Sequence, residues 1–269
     1  MWIERKKMEK KALEMAKNGG FNLIQDGDFT YIDEGEGDVV ILLHGLFGAL
    51  SNFHEVINHF KKDFRIIFPF LPLYSLSLKK STVRGMADHV GQLIDHLSIE
   101  QAHFLGNSLG GHIALVYGKE HLDRLKSLTL TGSSGLFENA MGDGYPNRES
   151  YEYIKSKTEY TFYDPKTATK ELVDEVFETV NNRSKVIRII TMAKSAIRHN
   201  MRDELGAFTM PAKMIWGSDD RITPPFVGEE FNKLLPNSSL SFIDQCGHAP
   251  MMERPQEFNK IFMDFLTSL

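Results

Sequence analysis

The sequence predicts an α/β protein: a mostly parallel sheet with helices on both faces and an inserted helical cap. Three observations carry this expectation. Short β-type runs alternate with helical patterns along most of the chain, the order expected of a parallel sheet built from crossover units. The run Val39-Val40-Ile41-Leu42-Leu43 is continuously apolar, as suits a central strand covered on both faces. From about Ser134 to Leu205 no strand pattern is convincing, and helical segments follow a loop rich in Gly and Asn.

Taken in order, the N-terminal segment predicts a helix. Ile3, Met8, Ala12, Met15 and Ala16 share a partly amphipathic face, and Gly19-Gly20 ends it. Strands are expected at Phe29–Ile32 and Val39–Leu43, with Gly35 and Gly37 in the turn between them. Further strands are expected at 65–68, 102–105, 127–130, 213–216 and 239–243. Helices are expected between most of them, for example over 83–97 and 111–117. Within the strandless stretch the patterns predict helices near 150–158, 169–181 and 185–200. We therefore read residues 1–133 and 206–269 as the core and 134–205 as a cap. The strand before the cap ends at the edge of the sheet where ligands bind. The cap's amphipathic helices need an apolar surface there, so Leu136, Phe137, Phe162 and Ile190 are expected to line a substrate cavity.

Composition narrows the function classes. The chain has 269 residues with 42% hydrophobic content and a net charge of −5. That supports one sizeable core and argues against nucleic acid as the main partner. A lone cysteine, Cys246, can form neither an internal disulfide nor a metal-binding pair. No run approaches the roughly 18 apolar residues of a membrane span. Residues 1–20 also lack the apolar stretch of a secretory signal. The expectation is a cytoplasmic protein with a small-molecule partner and no membrane, cofactor or metal, its oligomeric state open.

The chemistry-bearing motifs sit at predicted strand ends. Gly106-Asn107-Ser108-Leu109-Gly110 follows an apolar strand and opens a helix. A serine on so sharp a strand-to-helix turn needs flanking glycines, because side chains would clash there. The turn exposes the Ser108 hydroxyl and points the N–H of Leu109 toward a developing oxyanion. Leu43-His44-Gly45-Leu46-Phe47-Gly48 closes the earlier apolar strand, and the Leu46 N–H is the natural second donor. Asn52 suits either a polar group near that hole or a cap for a helix starting at Phe53. A serine hydroxyl needs a base, and the base an orienting carboxylate. Asp219 and Asp220 follow the strand ending at Trp216, and His248 follows the strand ending at Ile243. Both lie just past C-terminal strand ends, where open α/β sheets bind ligands. Asp244 reads as structural or exposed. Cys246 reads as a small buried residue, because nothing near it in sequence would activate a thiol.

From about Phe29 onward the chain resembles the α/β-hydrolase superfamily, on His44-Gly45, Gly106–Gly111, Trp216–Pro224 and Cys246–His248. The resemblance implies the triad order Ser108, Asp220, His248, makes Asp219 a turn residue, and gives His44 a loop-shaping role. A serine nucleophile sets the chain apart from the haloalkane dehalogenases and epoxide hydrolases, which use aspartate. Within the superfamily it looks most like the meta-cleavage-product hydrolases, on Gly106-Asn107-Ser108, Phe162-Tyr163-Asp164-Pro165 and Gln245-Cys246-Gly247-His248. Those enzymes cut a carbon–carbon bond in vinylogous 1,5-diketones from aromatic ring opening. The likeness implies that Asn107 helps hold the dienoate end. The chain departs from them in three places. Asn182 stands where they carry a cap arginine, and Arg183 comes one residue late, a rotation of about 100° on a helix. Ala249 replaces a tryptophan that often follows the base. Pro69-Phe70-Leu71-Pro72-Leu73-Tyr74 replaces the usual glycine-rich turn. The other cap arginines, Arg188 and Arg198, read with Arg183 as a solvated face.

These readings give a serine hydrolase for a small, mainly apolar ester or related acyl compound. Ser108 is the nucleophile, His248 the base, Asp220 the acid, and the Leu46 and Leu109 N–H groups the oxyanion hole. The alternatives are a carbon–carbon hydrolase with the same triad and a non-catalytic ligand receptor on the same fold.

Overall fold

The computed structural model describes residues 13, 16, 19–48, 50–137 and 147–269. Most of the predicted N-terminal helix, including Ile3, Met8, Ala12 and Met15, lies outside them. Ala16 is described, and it is buried in the core.

Among the described residues, eight strands form one sheet in the order β1-β2-β4-β3-β5-β6-β7-β8. They are β1 (Leu23–Asp26), β2 (Phe29–Glu34), β3 (Val39–Leu43), β4 (Arg65–Pro69), β5 (Ala102–Asn107), β6 (Leu125–Thr131), β7 (Ala212–Gly217) and β8 (Ser238–Ile243). The β1–β2 and β2–β4 pairs are antiparallel, and all the others are parallel. The sequence reading misses β1. This four-residue edge strand is only half-buried, so it lacks both the apolar run of a central strand and a clear period-two pattern.

Each central strand feeds two cores by alternation. Ile41 and Leu43 of β3 face one core, Val40 and Leu42 the other. Phe104 and Leu105 of β5 divide the same way, as do Met214 and Ile215 of β7. One face is covered by α2 (Val83–His96), α3 (Leu109–Glu120) and α7 (Pro225–Leu234), the other by α1 (Leu50–Phe60) and α9 (Pro255–Thr267). A short helix, α8 (Pro250–Glu253), follows β8. The α1 helix begins before Phe53, so Asn52 lies inside it and does not cap it.

Between β6 and β7 the described residues contain no strand. They form α4 (Tyr151–Glu159), α5 (Lys170–Asn181) and α6 (Arg183–Arg198). Side-chain caps set where these begin: Ser150 accepts from the Tyr153 N–H, Thr169 from Leu172, and Asn182 from both Ser184 and Lys185. Ile154, Val176 and Val180 join α4 to α5 in a small cluster of their own, and Phe47 from the loop after β3 packs against it. Among the described residues no helix is long and apolar enough to cross a membrane.

Candidate active site

The parallel strands deliver Ser108, Asp220 and His248 to one edge of the sheet. Ser108 joins β5 to α3 with φ 55° and ψ −121°. A side-chain-bearing residue is strained there, a feature that concentrates at functional sites. Only a bare backbone fits around it. A Cβ on Gly106 would meet the Gly111 Cα at 2.5 Å, and one on Gly110 would meet the Leu43 carbonyl oxygen at 2.0 Å. The glycines of the motif thus let α3 pack against β3 and β5. The Leu109 N–H belongs to the first turn of α3, whose amides have no acceptor within the helix.

The turn after β7 is anchored from below. Trp216 is fully buried, and its Nε1–H donates to the Thr223 carbonyl at 2.9 Å. Within the turn, Asp220 Oδ1 accepts from the N–H groups of Ile222 (2.8 Å) and Thr223 (2.9 Å). Its Oδ2 accepts from Thr223 Oγ1 at 2.8 Å and faces His248 Nδ1 at 2.9 Å. Asp219 instead accepts from Ser218 Oγ at 2.7 Å. Of the two neighbouring carboxylates, it is Asp220 that faces the imidazole. Because a carboxylate accepts, the proton is assigned to Nδ1, which leaves Nε2 with its lone pair.

His248 is held through its backbone as well. Its N–H donates to the Thr161 carbonyl at 3.0 Å, and its carbonyl accepts from Asn107 Nδ2 at 3.1 Å. The same Nδ2 donates to the Thr131 carbonyl at 3.0 Å. Both amide protons of Asn107 are therefore committed to backbone, leaving Oδ1 as its remaining polar atom for a ligand.

A cavity of about 200 Å³ opens over this edge. Ser108, His248, Leu46, Leu109, Asn107, Phe137 and Phe162 all line it. Leu136 and Ile190 do not. Leu136 is partly buried and packs against the core on the α2, α3 and α7 side of the sheet. Ile190 is 47% exposed, because α6 meets the cavity with its second half, through Met192, Ala193, Ala196 and Ile197, and residue 190 lies before that stretch. The sequence reading also misses Leu172, Val176, Met192 and Met252 as wall residues, and it did not single out Lys157. Lys157 is the one Lys, Arg, Asp or Glu among the described residues that line the cavity.

Other expectations resolve by their partners. His44 is buried, its Nδ1 bonded to the Gly45 carbonyl at 2.8 Å while its Nε2 accepts from the Leu71 N–H at 3.2 Å. Burial pulls its pKa down to about 4, so it is a neutral brace. Cys246 is fully buried, and burial pushes its thiol pKa up, the opposite of a reactive cysteine. Asp244 is exposed. Arg183 and Arg198 are exposed, while Arg188 donates to the Leu76 carbonyl and to Ser184.

Glu253 escapes sequence reasoning altogether. Its Oε1 accepts from the Gly247 N–H at 2.8 Å, and its Oε2 from the N–H groups of Tyr163 (2.7 Å) and Asp164 (3.3 Å). Burial raises its pKa, and those three amides work against that rise. The carboxylate ties the loop before His248 to the segment after α4. Glu253→Ala is expected to cost about 2 kcal/mol, given partial solvent exposure. The corresponding fall in Tm is roughly 4 to 8 °C for a chain of this size, measurable by thermal unfolding. An unchanged Tm would mean the tie carries no stability.

The family model described as the alpha/beta hydrolase fold matches residues 38–157 and 175–255. A 2-hydroxy-6-oxo-6-phenylhexa-2,4-dienoate hydrolase of Comamonas testosteroni is 29% identical over 257 residues, 88% of this chain and 90% of that relative. A 2-hydroxy-6-oxononadienedioate/2-hydroxy-6-oxononatrienedioate hydrolase of Pseudomonas sp. is 27% identical over 261 residues, 90% of this chain and 92% of that relative. Among solved structures, an alpha/beta hydrolase enzyme from the metagenome of sediments from the lagoon of Mar Chica, Morocco, is 42% identical. Its TM-score is 0.77, and the match covers 92% of this chain and 98% of that one. The chain belongs to the alpha/beta hydrolase family and is an enzyme of that type.

Proposed function

We propose that this enzyme is a serine hydrolase that cleaves the carbon–carbon bond beside a ketone in vinylogous 1,5-diketones bearing a carboxylate. The observation that carries the hydrolytic part is the convergence on one cavity of Ser108, His248, Leu46 and Leu109. The names of the curated relatives, dienoate and dienedioate hydrolases matched along about nine-tenths of this chain, support the bond type.

The chemistry follows from the groups present. A carbon leaves only if its electron pair can be delocalised, so the dienol must first become a ketone. The enol hydroxyl gives up a proton and the carbon beside the reacting ketone gains one. Ser108 Oγ then attacks the ketone carbon while His248 Nε2 takes the hydroxyl proton and Asp220 holds the imidazolium. The N–H groups of Leu46 and Leu109 receive the oxyanion. Collapse of the adduct breaks the carbon–carbon bond, and its electron pair passes into the new enone as a dienolate, which takes the proton held by His248 and so returns the imidazole to its neutral form. Water, deprotonated by His248, releases the acyl group from Ser108. Residues 134–205 act as the cap, with 1–133 and 206–269 as the core. Phe137 and Phe162 exclude water from the reacting centre, and Lys157 receives the substrate carboxylate in place of a cap arginine.

Ester hydrolysis by the same acyl-enzyme is the second reading, favoured by the largely apolar walls Leu172, Val176, Met192 and Met252. Parallel kinetics on a chromogenic 2-hydroxy-6-oxo-dienoate and a series of p-nitrophenyl esters separate the two. The proposal expects kcat/KM for the dienoate to exceed that of the best ester by tenfold or more, about 1.4 kcal/mol of differential transition-state binding. The reverse order would assign ester hydrolysis. Lys157→Gln is expected to raise KM for the dienoate about fivefold, a partly screened charge-assisted contact, and to leave KM for p-nitrophenyl butyrate unchanged. Equal effects on both substrates would remove Lys157 from carboxylate recognition.

A further inference from the structure

The segment after β4, residues 70–76, lies between the loop that follows β3 and helix α6. On the loop side there are two ties. The Leu71 N–H donates to His44 Nε2 at 3.2 Å, and the Tyr74 hydroxyl donates to the Leu46 carbonyl at 2.8 Å. On the α6 side there are two more. Lys185 Nζ lies 5.2 Å from the centroid of the Tyr74 ring, and Arg188 Nε donates to the Leu76 carbonyl at 3.0 Å. Lys185 and Arg188 are three residues apart and so share a face of α6. Tyr74 touches both sides, its ring against the helix cation and its hydroxyl against the loop.

The Leu46 carbonyl matters because of the group beside it. The Gly48 N–H closes a turn onto the Gly45 carbonyl at 3.1 Å, and Leu46 is the residue after Gly45 in that turn. With the carbonyl of Leu46 also held, the peptide planes on both sides of its Cα are restrained, and so is the direction of its own N–H. An oxyanion donor is effective when it is aimed before charge develops and need not reorganise during the reaction.

We propose that Tyr74 is a positioning residue for the oxyanion hole, aiming the Leu46 N–H through the Leu46 carbonyl, and that Lys185 makes this aim depend on the seating of α6. The inference rests on the serine-hydrolase reading above. It goes beyond that reading by giving the chain's proline-rich turn, Pro69–Tyr74, a catalytic purpose. An ordered α6 orients the donor, and a displaced α6 releases it.

Tyr74→Phe deletes one oxygen and keeps the ring under Lys185. Loss of a whole oxyanion donor costs about 10²- to 10³-fold in kcat, so a donor left present but unaimed is expected to cost about tenfold. The expected result for p-nitrophenyl butyrate is therefore kcat down about tenfold with KM within about twofold of wild type. A butylboronic acid, which forms a tetrahedral adduct on serine, should lose affinity by the same factor, whereas butyrate as a ground-state competitor should bind as before. Lys185→Gln is expected to lower kcat about threefold alone, on the scale of an exposed cation–π contact. In the Tyr74→Phe background it should lower kcat no further, because its effect passes through the hydroxyl.

Wild-type kcat and boronate affinity in Tyr74→Phe would overturn the inference. So would a loss shared equally by boronate and butyrate, which marks general loosening of the cavity. Additive effects of the two substitutions would overturn the link to α6. A wild-type enzyme that neither turns over p-nitrophenyl esters and dienoates nor reacts with a fluorophosphonate would overturn the serine-hydrolase reading and this inference together. A wild-type enzyme that does react, alongside an unaffected Tyr74→Phe, overturns the inference alone.

Discussion

Replacing Ser108 with alanine is expected to lower kcat by about 10⁴- to 10⁶-fold, on whichever of the dienoate or ester substrates the wild type prefers. The covalent route disappears with the hydroxyl, and the cavity, His248 and the loop amides remain. Binding should therefore survive. A substrate or product analogue is expected to bind Ser108→Ala within a few-fold of wild type by calorimetry. The substitution should also be neutral or better for stability. Ser108 holds φ 55° outside a glycine, and alanine there keeps the strained backbone without adding bulk. A kcat within tenfold of wild type would exclude Ser108 as nucleophile, and a matching collapse in Tm would mean the loss was structural.

The second large effect separates two adjacent carboxylates. Asp220→Asn is expected to lower kcat by about 10⁴-fold, because an amide facing Nδ1 favours the wrong imidazole tautomer and cannot hold an imidazolium. The damage extends to the turn. Asp220 Oδ1 takes the Ile222 and Thr223 N–H groups and Oδ2 the Thr223 hydroxyl, and an amide nitrogen in either place opposes a donor. Asp219→Asn, which affects a contact with Ser218, is expected to change kcat by less than about threefold, since substitutions away from such networks are usually mild. Steady-state kinetics on both variants gives the answer, and a larger effect at Asp219 would reverse the assignment.

Much of this site was legible because its parts are local. The apolar run of β3, the glycines around Ser108 and the acidic and histidine turns past β7 and β8 each declare a strand end within a few residues. A parallel sheet then brings its C-terminal strand ends to one edge. The preference for Asp220 over Asp219 rested on a family pattern. Trp216 and Thr223 orient the turn so that the second aspartate meets the imidazole.

The remainder depends on contacts between distant parts of the chain. Helix α6 carries apolar residues around much of its circumference: Ile187, Ile190 and Ile197 are exposed, while Ile189, Met192 and Ala196 are buried. Periodicity identifies such a helix but does not say which of its turns lies over the cavity: Ile197 lines it, whereas Ile190, seven residues earlier on the same face, does not. Glu253 reaches back to Tyr163 and Asp164, some 90 residues earlier. Tyr74 reaches Leu46 across 28 residues and Lys185 across more than a hundred. No spacing rule encodes these pairs. By itself, then, the sequence determined the α/β sheet, the strand-end positions of Ser108, Asp220 and His248, and the helical stretch that follows β6, because backbone sterics and hydrophobic period act over a few residues. The tertiary structure alone decided which side chains wall the cavity, how Asn107 uses its amide and what braces His248 and the loop after β3, because those depend on how separate elements pack.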